Sequence, residues 1–205
     1  MDKELLDELN YEIQLLLKFG FYSDDEILEI IDDEFIEENL SEESISKVFF
    51  ENKKNFEEFE NDSEDFGKLE EAFLELSGNK ILTIHNAGYD IEEGIQDAFE
   101  LFVHLRNNKI DVDGFAFYSF EDIESAIEEE SLKIAFGDFE YDEKKGLEIG
   151  KRVANALKSA GFDLSWNESI DERIIINDFK WEKAYSGKEY SMDGALETYI
   201  ELNKE

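Results

Sequence analysis

The sequence predicts an α+β protein. An acidic helical subdomain over residues 1–78 precedes a roughly five-stranded mixed sheet with packed helices over residues 79–205. Three observations carry this reading. Apolar residues recur at helical spacing through the first 78 positions. From Lys80 onward, short β-branched and aromatic runs alternate with helical patterns, and the last two runs read as a hairpin. A chain of 205 residues suits one large domain or two small ones, and it buries a sizeable core without staples.

Proline is absent, so Gly, Asn, Asp and Ser must mark the ends of elements. The first helix shows the stripe Leu5, Leu6, Leu9, Ile13, Leu16 and Leu17 and stops at Gly20, a residue that accepts the left-handed position after a helix. Ser23 and Glu26 form a capping box for the second helix, with Tyr22 and Ile27 as its hydrophobic staple and Phe21 packed in the elbow. That helix turns Ile27, Leu28, Ile31 and Phe35 inward. The third begins near Ser41 and carries Ile45, Val48, Phe49, Asn52, Phe56 and Phe59. After an acidic linker at 60–65, the fourth shows Phe66, Leu69, Phe73 and Leu76 and closes at Gly78.

Ile81 to Asn86 reads as the first strand. Asp90 and Glu93 cap a helix with Ile91, Ile95, Ala98, Phe99 and Phe102 on its inner face. Phe115 to Phe120 is the second strand, and Ser119 caps a helix running to about Glu129. Leu132 to Phe136 is the third. A helix from about Lys145 turns Gly150, Val153, Ala154 and Leu157 inward and stops at Gly161. Phe162, Leu164 and Trp166 alternate along strand four, residues 167–171 turn, and Arg173 to Phe179 returns antiparallel. A short helix from Met192 closes the chain.

Charge is the strongest compositional signal. Fifty-five acidic residues against 20 basic give −35, and residues 1–78 hold 26 acidic and 6 basic, a net −20. Such composition borders the disordered class; the periodic apolar faces argue for a folded chain. A surface this negative repels phosphate backbones and anionic lipids, so neither nucleic-acid nor membrane binding is expected. It attracts basic protein surfaces or cations, or else serves only as a solubilising coat. The absence of cysteine excludes disulfides and thiolate metal or redox sites. No run approaches about 18 apolar residues. The chain enters directly on Asp2, Lys3 and Glu4 without the basic start of a signal peptide, so the cytoplasm is the expected compartment.

No catalytic or metal motif is complete, and no cofactor is expected. Gly146 with Gly150-Lys151-Arg152 is one residue short of a phosphate-binding loop and lacks its Ser or Thr. Gly150 reads instead as a close-packing position. Asp111, Asp113 and Gly114 match part of an EF-hand loop, yet Lys109 and Phe120 stand where carboxylates are required. His104 shares a polar helix face with Asp97 and Glu100. His85, on the first strand, is a candidate general base near a strand end, with Tyr118 and Asp122 as candidate catalytic companions. Ser119 and Asp122 also suit a helix cap, with Tyr118 stapled to Ile123, and Trp166 and Trp181 suit a core.

Several stretches carry a resemblance. They are Gly20-Phe21-Tyr22-Ser23-Asp24-Asp25-Glu26, Gly114-Phe115-Ala116-Phe117-Tyr118 and Leu132-Lys133-Ile134-Ala135-Phe136-Gly137. They continue with Gly150 to Leu157, Ala160-Gly161-Phe162, Trp166, Ile174 to Ile176 and Trp181. In these the chain resembles an uncharacterised bacterial domain family of unknown function. Similar members read His-x-Gln-Asp after the aromatic strand, where this chain has Ser119-Phe120-Glu121-Asp122 and keeps only the Asp. The resemblance implies a fold and supplies no reaction.

The leading expectation is a non-enzymatic acidic protein that binds a basic protein partner, as immunity proteins and inhibitors do, with Asp32, Asp33 and Glu37 on its binding face. The competing expectation is a hydrolase or small-ligand enzyme using His85 and Asp122, which requires a pocket that brings the two within hydrogen-bond reach.

Overall fold

The computed structural model describes residues 2–38 and 40–204. The chain groups into two compact units, Met1–Asp62 with Glu182–Lys188, and Ser63–Trp181 with Glu189–Glu205. The fourth helix, which its pattern assigned to the helical part, groups with the sheet. Its buried face of Phe66, Leu69, Phe73 and Leu76 belongs to a helix that packs on the first strand. The division therefore falls after Asp62 and not after Gly78.

The helical unit contains α1 (Lys3–Phe19), α2 (Asp24–Glu34), a single 3-10 turn (Ile36–Glu38) and α3 (Glu42–Asn55). Asp2 caps α1 by accepting the Leu5 N–H at 3.0 Å, and Gly20 ends it at φ +70. The Ser23–Glu26 box forms in both directions, at 3.3 and 2.7 Å. Leu9, Ile13, Leu16, Ile27, Ile31, Ile45 and Phe49 make the core, while Leu6 stays exposed. Asn52 is buried on the apolar face of α3 because its amide is satisfied. It donates to Asn10 and to the Val48 carbonyl and accepts from Gln14, all within 2.9 Å. Helix α3 ends at Asn55, since Phe56 adopts extended backbone. Phe56 and Phe59 thus lie beyond the helix whose face they were expected to join.

The returning segment Glu182–Lys188 is tied to this unit by chemistry. The Ala184 N–H donates to Asp62 at 2.9 Å. The Lys183 side chain is 0% exposed, its ammonium 3.8 Å from Asp62, bonded to the Ala184 carbonyl at 3.0 Å and 5.3 Å above the Phe21 ring. Phe21 faces a lysine from the far end of the chain, a partner that no local pattern announces.

The sheet unit contains α4 (Glu64–Gly78), β1 (Ile81–Ile84), α5 (Ile91–Asn107), β2 (Gly114–Phe117), α6 (Phe120–Glu129), β3 (Leu132–Gly137), α7 (Glu143–Ser159), β4 (Leu164–Ser165), β5 (Ile174–Ile176) and α8 (Met192–Asn203). The strand order is β1-β2-β3-β5-β4. β1 and β2 pair in parallel, with Ile84 opposite Phe117; the other pairs are antiparallel. The fold is therefore α+β with a five-stranded mixed sheet.

Strand bounds and one helix face differ from expectation: β1 stops at Ile84 rather than Asn86, and β2 ends at Phe117 because Phe120 already opens α6. β4 is only Leu164–Ser165, because the Trp166 indole N–H donates to the carbonyls of Ser169 and Glu172 and closes the turn. β5 stops at Ile176, where the Asn177 amide bonds Asp163 and Ser165. On α5 the deepest residues are Gly94, Ala98, Leu101 and Leu105, while Ile91 is exposed. Helix α8 also packs on α5, so two partners share a face that the simplest stripe assigns to one. Gly150 does what its position implied: a Cβ there would strike the Phe136 ring of β3, so only glycine lets α7 lie this close.

Gly20 yields a test. A Cβ at Gly20 would collide with the Lys183 carbonyl, whereas one at Gly161 (φ +99) would meet nothing within 4 Å. In urea denaturation, Gly161→Ala should carry only the backbone penalty of about 1–2 kcal/mol. Gly20→Ala should lose more than that. Equal losses would mean that the 182–188 segment does not press on Gly20.

Candidate functional site

The parallel register positions the first candidate pair. Ile84 is opposite Phe117 at the ends of β1 and β2, so the next residues, His85 and Tyr118, emerge side by side. His85 Nδ1 and the Tyr118 hydroxyl lie 2.7 Å apart, and either can be the donor, according to the imidazole tautomer. Aromatic rings surround them. Phe73, Tyr190 and Phe66 stand 4.8, 5.3 and 6.0 Å from the imidazole, and Trp181 stands 5.9 Å from Tyr118. The Tyr190 hydroxyl donates to Glu70 at 2.8 Å. Tyr118 is fully buried, and burial, reinforced by Tyr190 and Glu70, holds its phenol well above the ordinary tyrosine range. It stays protonated at neutral pH and serves as a hydrogen-bonding group, not as a base.

Asp122 belongs to a different constellation. Its carboxylate is 2% exposed. It accepts the Ser119 N–H at 3.1 Å, the Ser119 hydroxyl at 3.0 Å and both contacts of Arg173 Nη1 at 2.8 and 3.0 Å. Four contacts to protein donors satisfy the charge without His85. The structure joins His85 to Tyr118 and joins Asp122 to Ser119 and Arg173. Ser119 holds the expected N-cap position, but its hydroxyl donates to Asp122 at 3.0 Å, so the carboxylate draws it in.

The remaining motif residues settle into ordinary roles. Asp113, from the partial EF-hand pattern, pairs with Arg152 at 2.9 Å. His104 is exposed. Asp97 is raised above the usual carboxylate range by burial, opposed by the Gly88 N–H and supported by Glu100 and Glu93. Among the described residues no group of three or more His, Asp or Glu side chains is arranged to hold a metal ion, and no helix is long and apolar enough to cross a membrane. Trp166 packs edge-on against Phe136 at 5.3 Å, and Trp181 is buried against Phe66 at 5.6 Å.

The acidic candidates Asp32 and Asp33 lie on α2, and Glu37 on the 3-10 turn; all three are exposed. From Asp24 to Glu38 the chain carries nine acidic residues and no basic one. Asp24 is paired with Lys53. Glu34 is raised above the usual carboxylate range, first by partial burial and then by Glu8. Ile36, near the C-terminal end of this strip and followed by Glu37 and Glu38, is 69% exposed. Its exposure was not legible in the sequence, since Ile36 sits next to Phe35, whose ring is buried.

These features define an acidic α+β protein with a buried aromatic cluster at the strand ends and a carboxylate-rich helical surface. The chain belongs to the family described as "Domain of unknown function (DUF6891)", which matches residues 2–185. No curated protein and no solved structure matches it.

Two tests follow from the geometry. Arg173→Met would leave Asp122 buried with only Ser119 to satisfy it; stripping one partner from a buried pair costs about 3–5 kcal/mol, and the partial exposure of Arg173 places the expected loss below that. Ser119→Ala should cost less, about 1 kcal/mol. A loss for Ser119→Ala equal to that for Arg173→Met, in chemical denaturation, would refute this ranking. The second test uses Tyr118. A phenol whose pKa is raised on folding favours the folded state below the unfolded value of about 10 and loses that contribution as pH rises past it. Alkaline denaturation should therefore be shallower in Tyr118→Phe. Ionisation of every tyrosine at pH 10–11 without unfolding, followed by absorbance near 295 nm, would contradict the burial.

Proposed function

We propose that this protein acts by binding a basic protein partner through the acidic surface of its helical unit, with no chemistry of its own. The observation that supports this best is the strip from Asp24 to Glu38: nine carboxylates, no cation in sequence, and an exposed Ile36 among them. A solubilising coat does not need an apolar side chain projecting from its most negative segment. A binding surface does, since charge steers the encounter and a buried apolar contact slows dissociation. On this reading Asp32, Asp33 and Glu37 form the steering face, and the partner is an inhibited or neutralised basic protein of the same bacterial cytoplasm.

The competing reading, a hydrolase built on His85, Tyr118 and Asp122, has less support. Asp122 is committed to Ser119 and Arg173, and the Tyr118 phenol is held protonated in a fully buried setting.

The test is affinity capture from cell extract at low and high salt, followed by kinetics on the captured partner. Replacing Asp32, Asp33 and Glu37 together with lysine should slow association by about tenfold or more at low ionic strength and change dissociation much less. A partner that stays bound equally well at high salt and after charge reversal would overturn the electrostatic mechanism.

A further inference from the structure

A cavity of about 320 Å³ in the sheet unit shares no residue with the His85–Tyr118 or the Asp122–Ser119–Arg173 constellation. It lies among the end of α5, the residues leading into β2, those following β3, and α7. Its floor is apolar. Phe102 and Phe139 stack with centroids 4.2 Å apart and planes within 7°, beside the buried Ile149.

The wall is charged and unbalanced. Four carboxylates, Asp113, Asp138, Glu140 and Glu148, face two cations, Lys145 and Arg152, which leaves an excess of two negative charges. Both cations are already engaged. Lys145 pairs with Glu140. Arg152 bonds Asp113 at 2.9 Å and also the Asn79 carbonyl. Asp138 is only 8% exposed, and its hydrogen bonds come from backbone N–H groups, those of Glu140 and Asp142 at 2.9 and 3.0 Å. Glu148 is exposed and forms no hydrogen bond or ion pair among the described residues. The cavity of the helical unit, about 340 Å³, contrasts with this. Its two carboxylates, Asp24 and Glu58, are numerically balanced by two cations, Lys53 and Lys183, and both carboxylates pair with Lys53.

We propose that the cavity beside Phe102 and Phe139 binds a guanidinium-bearing ligand. Two surplus carboxylates next to stacked phenyl rings suit a planar cation that lies on an aromatic face while its edge N–H groups reach carboxylate oxygens. An ammonium is more strongly hydrated and has no flat face, so it gains less from the same rings. An anion meets cations that are already paired, in a chain of charge −35. The guanidinium arrives either as an arginine side chain of a protein or on a free small molecule; the recognition chemistry is the same. This site stands apart from the acidic strip of α2 and does not depend on it.

The test uses the full chain and N-acetyl-arginine amide, with N-acetyl-lysine amide at equal ionic strength as comparison, followed by methyl NMR of Ile149 and Val112. Saturable shifts at these two residues, tighter for the arginine compound, are expected. Glu148→Gln should raise Kd about two- to fivefold, the range of one exposed ion pair, and Phe102→Leu should raise it as well. Charge reversal at Asp32, Asp33 and Glu37 should leave it unchanged, which separates this site from the partner surface. A capped Gly-Arg-Gly peptide that binds more tightly than the free compound assigns the source to a protein, and one that binds no better assigns it to a small molecule. Shifts that fail to saturate, equal binding of the lysine compound, or a Kd indifferent to both Glu148→Gln and Phe102→Leu would overturn the proposal.

Discussion

Self-repulsion is the constraint under which this chain folds. A net −35 over 205 residues opposes every compact arrangement, and the structure answers in two ways. It uses carboxylates where backbone dipoles welcome them: each α-helix described here carries an acidic residue in its first turn, from Glu4 in α1 to Asp193 in α8. It also gives each buried carboxylate its own donors. Asp122 takes Ser119 and Arg173, and Asp138 takes two backbone N–H groups. Charge left over is carried on exposed helix surface, most densely on α2 and the turn after it.

The apolar side of the balance is mostly aromatic. In the sheet unit, Phe66, Phe73, Tyr118, Trp181 and Tyr190 gather around His85, and Phe99, Phe102, Phe115 and Phe139 form a second cluster with ring centroids 4.2–6.4 Å apart. Aromatic pairs contribute beyond their buried area, which suits a chain that must offset so much repulsion. The same economy decides the fate of the polar residues nearby. His85 and Tyr118 satisfy one another at 2.7 Å, and Tyr190 satisfies itself on Glu70. Polar groups caught in an aromatic core behave this way whether or not they do chemistry.

The helical unit turns on one long-range contact. Lys183 brings a fully buried ammonium to Asp62 and the Phe21 ring, and Gly20 is the residue whose missing side chain makes room for its carbonyl. The left-handed turn that ends α1 is therefore also the place where the returning 182–188 segment lies down. One glycine serves both purposes, the positive φ and the close approach.

The local punctuation was legible in the sequence. The stop at Gly20, the Ser23–Glu26 box and the order of strands and helices follow from spacing and residue type, because each depends on neighbours within about four positions; Gly150 was legible as a close-packing position, but its partner Phe136 comes from β3. The site was legible only in fragments. His85 and Tyr118 stood out as titratable groups near strand ends, but nothing local joined them. Their contact depends on β1 and β2 pairing in parallel with Ile84 opposite Phe117, a register that only the assembled sheet determines. Asp122 looked equally available for catalysis or capping, and the choice was made by Arg173, which the β4–β5 hairpin delivers from far along the chain. What the sequence determined by itself was the alternation of elements and the sign of the surface, since both are properties of nearby residues and of composition. What only the tertiary structure decided was which charges meet: partners such as Asp62 with Lys183, or Asp122 with Arg173, are set by how distant segments pack, and local periodicity holds no record of that.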